Sequence, residues 1–353
     1  MNNKDHTWEL KSYAPDKAEL WDDFVLAQPH GSIHQCALWR DFQQTIPGRE
    51  QVLGFYALDE NGAWIGATWC VKMSTGFLGT HWYYSARGPV LKNQNTKFRQ
   101  EFLSAIAAEL KNQKGLFWRL DPYWQESTWL KLEADPTGLN IKPATKNFQP
   151  TDSLMLDLKL SEDELLAQTK RQARKALRLA NEAGVTIEIL NSNCVETSHI
   201  EAWDTLNSDT TTRDGFFGHD KTYYQSFIKR LKPYSYLCFA HHQGKPVAAA
   251  ILTVCEDKAI YYFGASSSDA STRDLRAPYA LQWAMILKAK ALRAQTYDFT
   301  GITPEDQPDH PYKGITQFKT RFGGYRDTYG GGREIVLRKA WYALYRLVKK
   351  MRS

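Results

Sequence analysis

A lysine flanked by aromatic residues and glycines stands in Phe318-Lys319-Thr320-Arg321-Phe322-Gly323-Gly324. As a compact point charge, its ammonium can hold a phosphate or steady an oxyanion as it develops. On residue type alone, a surface lysine on a strand edge competes with that role. Asp298 and Tyr262 lie in apolar, strand-like runs. A carboxylate or phenol aimed from there into a cleft can orient an amine or hold a peptide; the plainer roles are a turn cap before Gly301 and a core tyrosine. In Thr211-Thr212-Arg213-Asp214-Gly215-Phe216-Phe217-Gly218 a polar stretch turns aromatic, and the fork of Arg213 suits a diphosphate or a carboxylate. Here the competing reading is a capping loop between helices with Arg213 exposed.

A further set is electrostatic. Lys170, Arg171, Arg174, Lys175 and Arg178 recur on adjoining turns of a helix predicted over 161–183, with Leu166, Ala173, Leu177 and Ala180 on the opposite stripe. Such a row can meet a phosphate backbone, although an acidic first turn followed by basic turns also complements the helix dipole. No GxSxG, no Cys/His pairing and no metal-spaced histidine cluster occurs, and His241-His242 reads as a solvated turn. These motifs offer no nucleophilic serine or cysteine and no metal site, and no bound cofactor is expected.

The elements that must position these residues follow from periodicity and turn signals. At 353 residues the chain exceeds the size of a usual single core, so two domains are expected. In the first, helices are predicted over 16–27, 39–45 and 97–112, a hairpin over 51–73 around Asp59-Glu60-Asn61-Gly62, and a strand over 116–120. Two prolines and polar residues over 142–151 mark the linker. The second opens on Ser161-Glu162-Asp163-Glu164, a capping box, and its helix closes at Gly184. Strands at 185–190, 235–241, 246–255 and 259–265, a helix at 277–294 and a strand at 296–299 repeat the order of the first half, as an internal duplication would.

Composition narrows the class. With 42% hydrophobic and 13% aromatic residues the chain is globular, and no apolar run approaches the roughly 20 residues of a membrane helix. Nothing in the N-terminal residues reads as a signal peptide, and five scattered cysteines without a CxxC pair fit reduced thiols. A cytoplasmic protein is expected. The formal charge of +6 is carried from Arg333 onward, where a helix predicted to pack through Trp341, Leu344, Tyr345 and Val348 is flanked by Arg338, Lys339, Arg346, Lys349 and Lys350.

Taken in order, several segments resemble the FemABX aminoacyltransferases, which add amino acids to peptidoglycan stem peptides. They are Trp39-Arg40-Asp41-Phe42-Gln43, Arg87-Gly88-Pro89-Val90, Arg119-Leu120-Asp121-Pro122, Leu156-Asp157-Leu158 with the capping box, the basic helix ending in Ala183-Gly184-Val185, Tyr261 to Ser267, Tyr297-Asp298-Phe299-Thr300-Gly301, and the Lys319 motif. Gln43 stands where members often carry a lysine, and Leu91-Lys92 where many carry an acid. The chain also lacks room for the long helical arm of some members.

The resemblance implies an α/β (α+β type) fold of two GNAT-like domains, 1–150 completed by a C-terminal helix at 333–353, and 151–332. It implies Lys319 and Asp298 as catalytic, and Gln43, Tyr84, Thr211, Arg213, Phe217, Tyr262 and Phe318 as substrate-binding. Lys170, Arg171, Arg174 and Arg178 would bind tRNA. The co-substrate would be aminoacyl-tRNA and the acceptor a UDP-linked or lipid-linked muropeptide, with the protein a monomer touching an anionic membrane peripherally. Two rivals stand beside this: an acetyl-CoA-dependent N-acyltransferase, and a noncatalytic protein binding tRNA or a membrane surface. The first lacks the glycine loop that cradles a pyrophosphate, since Arg273-Asp274-Leu275-Arg276-Ala277-Pro278 is the nearest frame.

Overall fold

The computed structural model describes residues 8–93, 95–135, 138–215, 217–307 and 309–352. They form two compact units, one reaching Thr151 and resuming at Thr328, the other spanning Asp152–Asp327. The first unit opens with strands β1 (Trp8–Ser12), β2 (Val52–Asp59), β3 (Trp64–Ser74), β4 (His81–Ser85), β5 (Val90–Leu91), β6 (Phe117–Leu120) and β7 (Ile141–Pro143). The second contains β8 (Asp152–Asp157), β9 (Thr186–Asn191), β10 (Ser235–His242), β11 (Lys245–Cys255), β12 (Lys258–Ser266), β13 (Thr296–Gly301) and β14 (Tyr325–Thr328), after which β15 (Arg333–Val336) returns to the first.

The two sheets share one plan. The first runs β1-β2-β3-β4-β6-β15-β7 with β5 on β3, and the second runs β9-β10-β11-β12-β13-β8-β14. The first is antiparallel except where β4 meets β6, and the second, from β9 to β8, is antiparallel except where β12 meets β13. Parallel neighbours need a long crossover. In the first unit this includes the helix Thr96–Asn112, and in the second Ala277–Ala291. The matching order is the structural form of the internal duplication. In the first unit the place of β8 is taken by β15, a strand made at the far end of the chain.

Local chemistry starts the helices. The Asn95 side chain accepts from the amide of Phe98 at 2.7 Å, and Ser161 and Glu164 cap each other. The predicted hairpin is present, with Asp59 accepting from the amides of Asn61 and Ala63 and Gly62 at φ +77°. Aromatic rings fill the first core: Trp21 stacks on Trp69 at 3.9 Å, and Trp118 and Trp129 are fully buried. Each such ring removes on the order of 150–250 Å² from water. The second core is aliphatic around β11, whose residues from Val247 to Cys255 are all buried, with Tyr297, Phe299 and Phe322 beside it.

Four expectations are corrected. The helix predicted over 161–183 is two, α5 (Glu162–Gln168) and α6 (Arg171–Glu182), because Thr169 and Lys170 are extended and the amide of Lys170 donates to the Arg321 carbonyl at 2.8 Å. The Thr211 segment is a loop only in its second half. Thr211 to Asp214 form the last turn of α7 (Thr197–Asp214), which ends at left-handed Gly215, and Phe217 and Gly218 follow outside any helix. The stretch 142–151 contains the end of β7, and the C-terminal return adds β15 as well as a helix, α11 (Lys339–Arg352).

Lastly, α11 packs through Trp341, Tyr342 and Tyr345 against Trp82, Tyr84 and Phe117, while Leu344 is exposed. Its anchor is polar as well. The fully buried Arg119 donates through Nε to Glu334 at 3.0 Å and through Nη2 to Thr145 at 3.0 Å, and its guanidinium lies 4.8 Å from the rings of Trp82 and Phe148. The Tyr342 hydroxyl donates to the other oxygen of Glu334.

Candidate active site

Strand β13 and the short helix α10 (Lys313–Lys319) build one cluster in the second unit. Asp298 pairs with Ile260 of β12 and Met155 of β8, and the pairing of β12 with β13 ends there. Two residues on, Thr300 takes φ +62°. A β-branched residue in the left-handed region is strained, and the strain is held by its amide donating to Asp298 Oδ1 at 2.6 Å. The turn this makes aims the Gly301 carbonyl at Lys319 Nζ, 2.7 Å away, with Thr300 Oγ1 at 3.4 Å.

Lys319 is only 4% exposed, so it is not the surface lysine on a strand edge that its residue type allowed. Burial pulls its pKa down to about 8, with the Asp298 carboxylate acting the other way. Phe318 closes one side, edge-on to Tyr279 at 5.0 Å and Phe322 at 5.5 Å. An ammonium fixed beside a carboxylate in a weakly solvated setting can steady negative charge on an oxygen while the carboxylate takes up a proton. Thr300 and the Gly301 carbonyl were not singled out as site groups from sequence. Their only signal was membership of the Tyr297-Asp298-Phe299-Thr300-Gly301 motif.

A second group gathers at the end of α7. Thr210 Oγ1 donates to the Ser266 carbonyl at 3.1 Å and accepts from its amide at 2.8 Å, tying the helix end to the end of β12. Arg213 donates to the Asp214 carboxylate at 2.8 and 3.0 Å and to Ser266 Oγ at 3.2 Å. The bond to Asp214 raises its pKa further. Thr211 Oγ1 donates to the Ser208 carbonyl, Phe217 is fully exposed, and Phe216 lies outside the described residues. Tyr262, half-buried, stands edge-on to Phe227 at 4.9 Å.

Gln43 and Tyr84 belong to the first unit. Gln43 is buried and accepts from Arg49 at 3.0 Å. The Tyr84 hydroxyl donates to Asp121 at 2.8 Å, and the other Asp121 oxygen accepts from the Arg87 amide at 2.9 Å. Burial raises both the Tyr84 and the Asp121 pKa, with Asp121 adding to the first and Arg87 opposing the second. Asp121 was visible in sequence within Arg119-Leu120-Asp121-Pro122 without a role being assigned to it.

The basic row on α6 survives the break in the helix but changes its meaning. Lys170, Arg171, Arg174 and Arg178 are exposed over buried Ala173, Ala176 and Ala180, and Arg174 donates to the carbonyls of Thr169 and Ala167. Arg178 pairs with Glu182 at 2.9 Å. Lys170, Arg171 and Arg174 now sit at a helix N-terminus, where the dipole disfavours cations, so the dipole does not account for the row.

The doubled sheet plan with a parallel step in each half defines a tandem acyltransferase fold of the GNAT kind. A crystal structure of FemX covers 95% of this chain and 99% of its own with TM-score 0.81 at 19% identity, and a tandem GNAT protein from the clavulanic acid biosynthesis pathway gives 0.57 at 10% identity over 94% of this chain and 98% of its own. The FemAB family model matches residues 17–135, 131–246 and 240–350, and the chain belongs to that family. Relatives named lipid II:glycine glycyltransferase are 22% identical in Staphylococcus epidermidis, covering 94% of this chain and 93% of the relative, and 21% identical in Staphylococcus aureus, covering 93% of each.

Proposed function

We propose that this FemAB-family transferase joins an amino acid, delivered as the ester on a tRNA, to an amine on the stem peptide of a peptidoglycan precursor, with the lipid-linked precursor as acceptor. The observation that carries the reading is the buried Lys319 ammonium beside Asp298, in a chain whose relatives are named for transfer to lipid II. The acceptor nitrogen attacks the ester carbonyl, a C–N bond forms and the C–O bond to the tRNA 3′ oxygen breaks. The nitrogen loses a proton toward Asp298 and the departing oxygen gains one. Lys319 steadies the negative charge on the oxygens as it develops. Because the ester is already activated, orientation and charge stabilisation suffice.

The basic row on α6 supports tRNA as the donor's carrier, and Arg213 and Thr211 support a phosphate-bearing acceptor. An acetyl-CoA donor fits less well. The segment joining β12 to the Ala277–Ala291 helix ends in left-handed Arg276 and places Pro278, which has no N–H, in the first turn where amides would have to meet a pyrophosphate. The test is to incubate the protein with mixed charged tRNAs and, separately, UDP-linked and lipid-linked muropeptides. A gain of one aminoacyl mass on a muropeptide is expected. No gain with any pairing, or acetyl transfer from acetyl-CoA instead, overturns the reading.

A further inference from the structure

Helix α11 carries two apolar rows, and only one of them is used inside the first unit. Trp341, Tyr342 and Tyr345 face the core. About a third of a turn away, Leu344, Leu347 and Met351 stand 40%, 56% and 70% exposed. Single exposed leucines are ordinary, but these three follow each other at helical spacing as one stripe. Beside the stripe project Lys339 and Lys350, both exposed. The helix has no acidic residue between 339 and 352.

We propose that this outward face of α11 lies in the surface layer of an anionic lipid bilayer. Leu344, Leu347 and Met351 enter the boundary between headgroups and acyl chains, and Lys339 and Lys350 meet the lipid phosphates. An apolar row edged by lysines matches that layer in both polarity and charge. A nucleic acid would satisfy the lysines but leave the stripe in water. A second copy docked through a two-fold would set lysines against lysines, over a stripe too narrow for the roughly 1,000 Å² of a stable interface. The helix is not a membrane span, since no described helix is long and apolar enough to cross a bilayer. The inference rests on the proposed transfer to a lipid-linked acceptor only for its purpose, which is to bring enzyme and acceptor to one surface.

The experiment is vesicle co-sedimentation with phosphatidylcholine alone and with phosphatidylcholine containing phosphatidylglycerol. Three proteins are compared: wild type, Leu344→Ser/Leu347→Ser/Met351→Ser, and Lys339→Gln/Lys350→Gln. Wild type is expected on the anionic vesicles and not on the zwitterionic ones. The lysine pair should bind about 25-fold more weakly, from about fivefold per basic residue. The serine variant should lose at least tenfold while keeping the wild-type circular dichroism and the wild-type transfer to a UDP-linked acceptor. Failure of wild type to sediment with anionic vesicles, equal retention of the serine variant, or a wild-type dimer that the serine variant abolishes each overturns the proposal. Vesicle binding by a protein that transfers to no acceptor would leave this inference standing and remove the transferase reading.

Discussion

Lys319 Nζ donates to the Gly301 carbonyl oxygen at 2.7 Å, and the carbonyl is aimed there by the left-handed backbone of Thr300. One buried cation is thus fixed by main-chain geometry, and the nearby Asp298 carboxylate is held by the amide of the same Thr300. Activity and stability should respond differently when the pair is altered.

Replacing Lys319 by Ala should lower turnover on the order of 100- to 1000-fold with little change in acceptor affinity, since a charge that answers a developing oxyanion acts mainly in the transition state. Lys319→Arg should not restore it, because a planar fork does not fit a point-charge site. Steady-state transfer from charged tRNA, with circular dichroism to confirm folding, decides the matter. Near-normal turnover by folded Lys319→Ala enzyme places the donor chemistry elsewhere.

The same lysine makes a pH signature in stability. Its folded pKa is lowered to about 8 from 10.5, so between these values the unfolded chain binds more protons and stability rises with pH. The cost of burying the charge is fully present below pH 8 and fades as pH climbs toward 10.5. Relative to Lys319→Met, wild type should therefore gain on the order of 3 kcal/mol across that window, read from urea unfolding of both proteins at several pH values. Parallel curves would contradict it.

Thr300→Gly should relieve the strained backbone, where a β-branched residue costs about 1–3 kcal/mol, offset in part by the greater freedom of glycine in the unfolded chain. A net gain of up to about 1 kcal/mol is expected, together with slower transfer, because the Thr300 hydroxyl beside Lys319 is gone. A thermal melt and a rate measurement test the two halves; a destabilised variant shows that the side chain, and not the backbone, holds the turn.

Affinity for tRNA should fall with salt, by a slope of about 0.7 to 0.9 per phosphate contact. Lys170→Gln/Arg171→Gln/Lys175→Gln should flatten that slope by two to three such steps, leaving the fold intact because all three side chains are exposed. A slope unchanged by the triple substitution removes α6 from the contact.

Arg119 and Glu334 invite a double-mutant cycle. Arg119→Met or Glu334→Gln alone breaks the buried pair, leaving Glu334 only the more distant Arg346 at 3.9 Å in the first case, and should cost about 3–5 kcal/mol, and the double variant should cost clearly less than the sum. Additive losses in urea titration would mean that the two groups act independently.

Much of this architecture was readable from sequence, and the residues show where reading stopped. Period and caps are local, so the hairpin around Gly62 and the helix following Asn95 stand in the structure where the pattern put them. The break at Thr169 is not local: both sides favour helix, and it is the Lys170 amide reaching the Arg321 carbonyl that ends α5. The polar run before Gly215 resembles a loop only in composition. Its helix is sustained by Thr210 binding Ser266 on β12. Lys319 and Asp298 stood out through their motifs, but the burial that lowers the lysine pKa comes from packing of α10, which no spacing along the chain encodes.

The return of β15 also orders events during synthesis. In the first sheet β7 pairs with β15 and with no other described strand, and Arg119 waits for Glu334. The ribosome must make the entire second unit before either partner exists, a delay of roughly ten to forty seconds at ordinary elongation rates. Asp152–Asp327 is contiguous and can close behind the exit tunnel, so the half begun first is the half finished last. Until then, the nascent first unit holds a cation without its counter-ion and an open strand edge, the two features that attract chaperones and premature pairing.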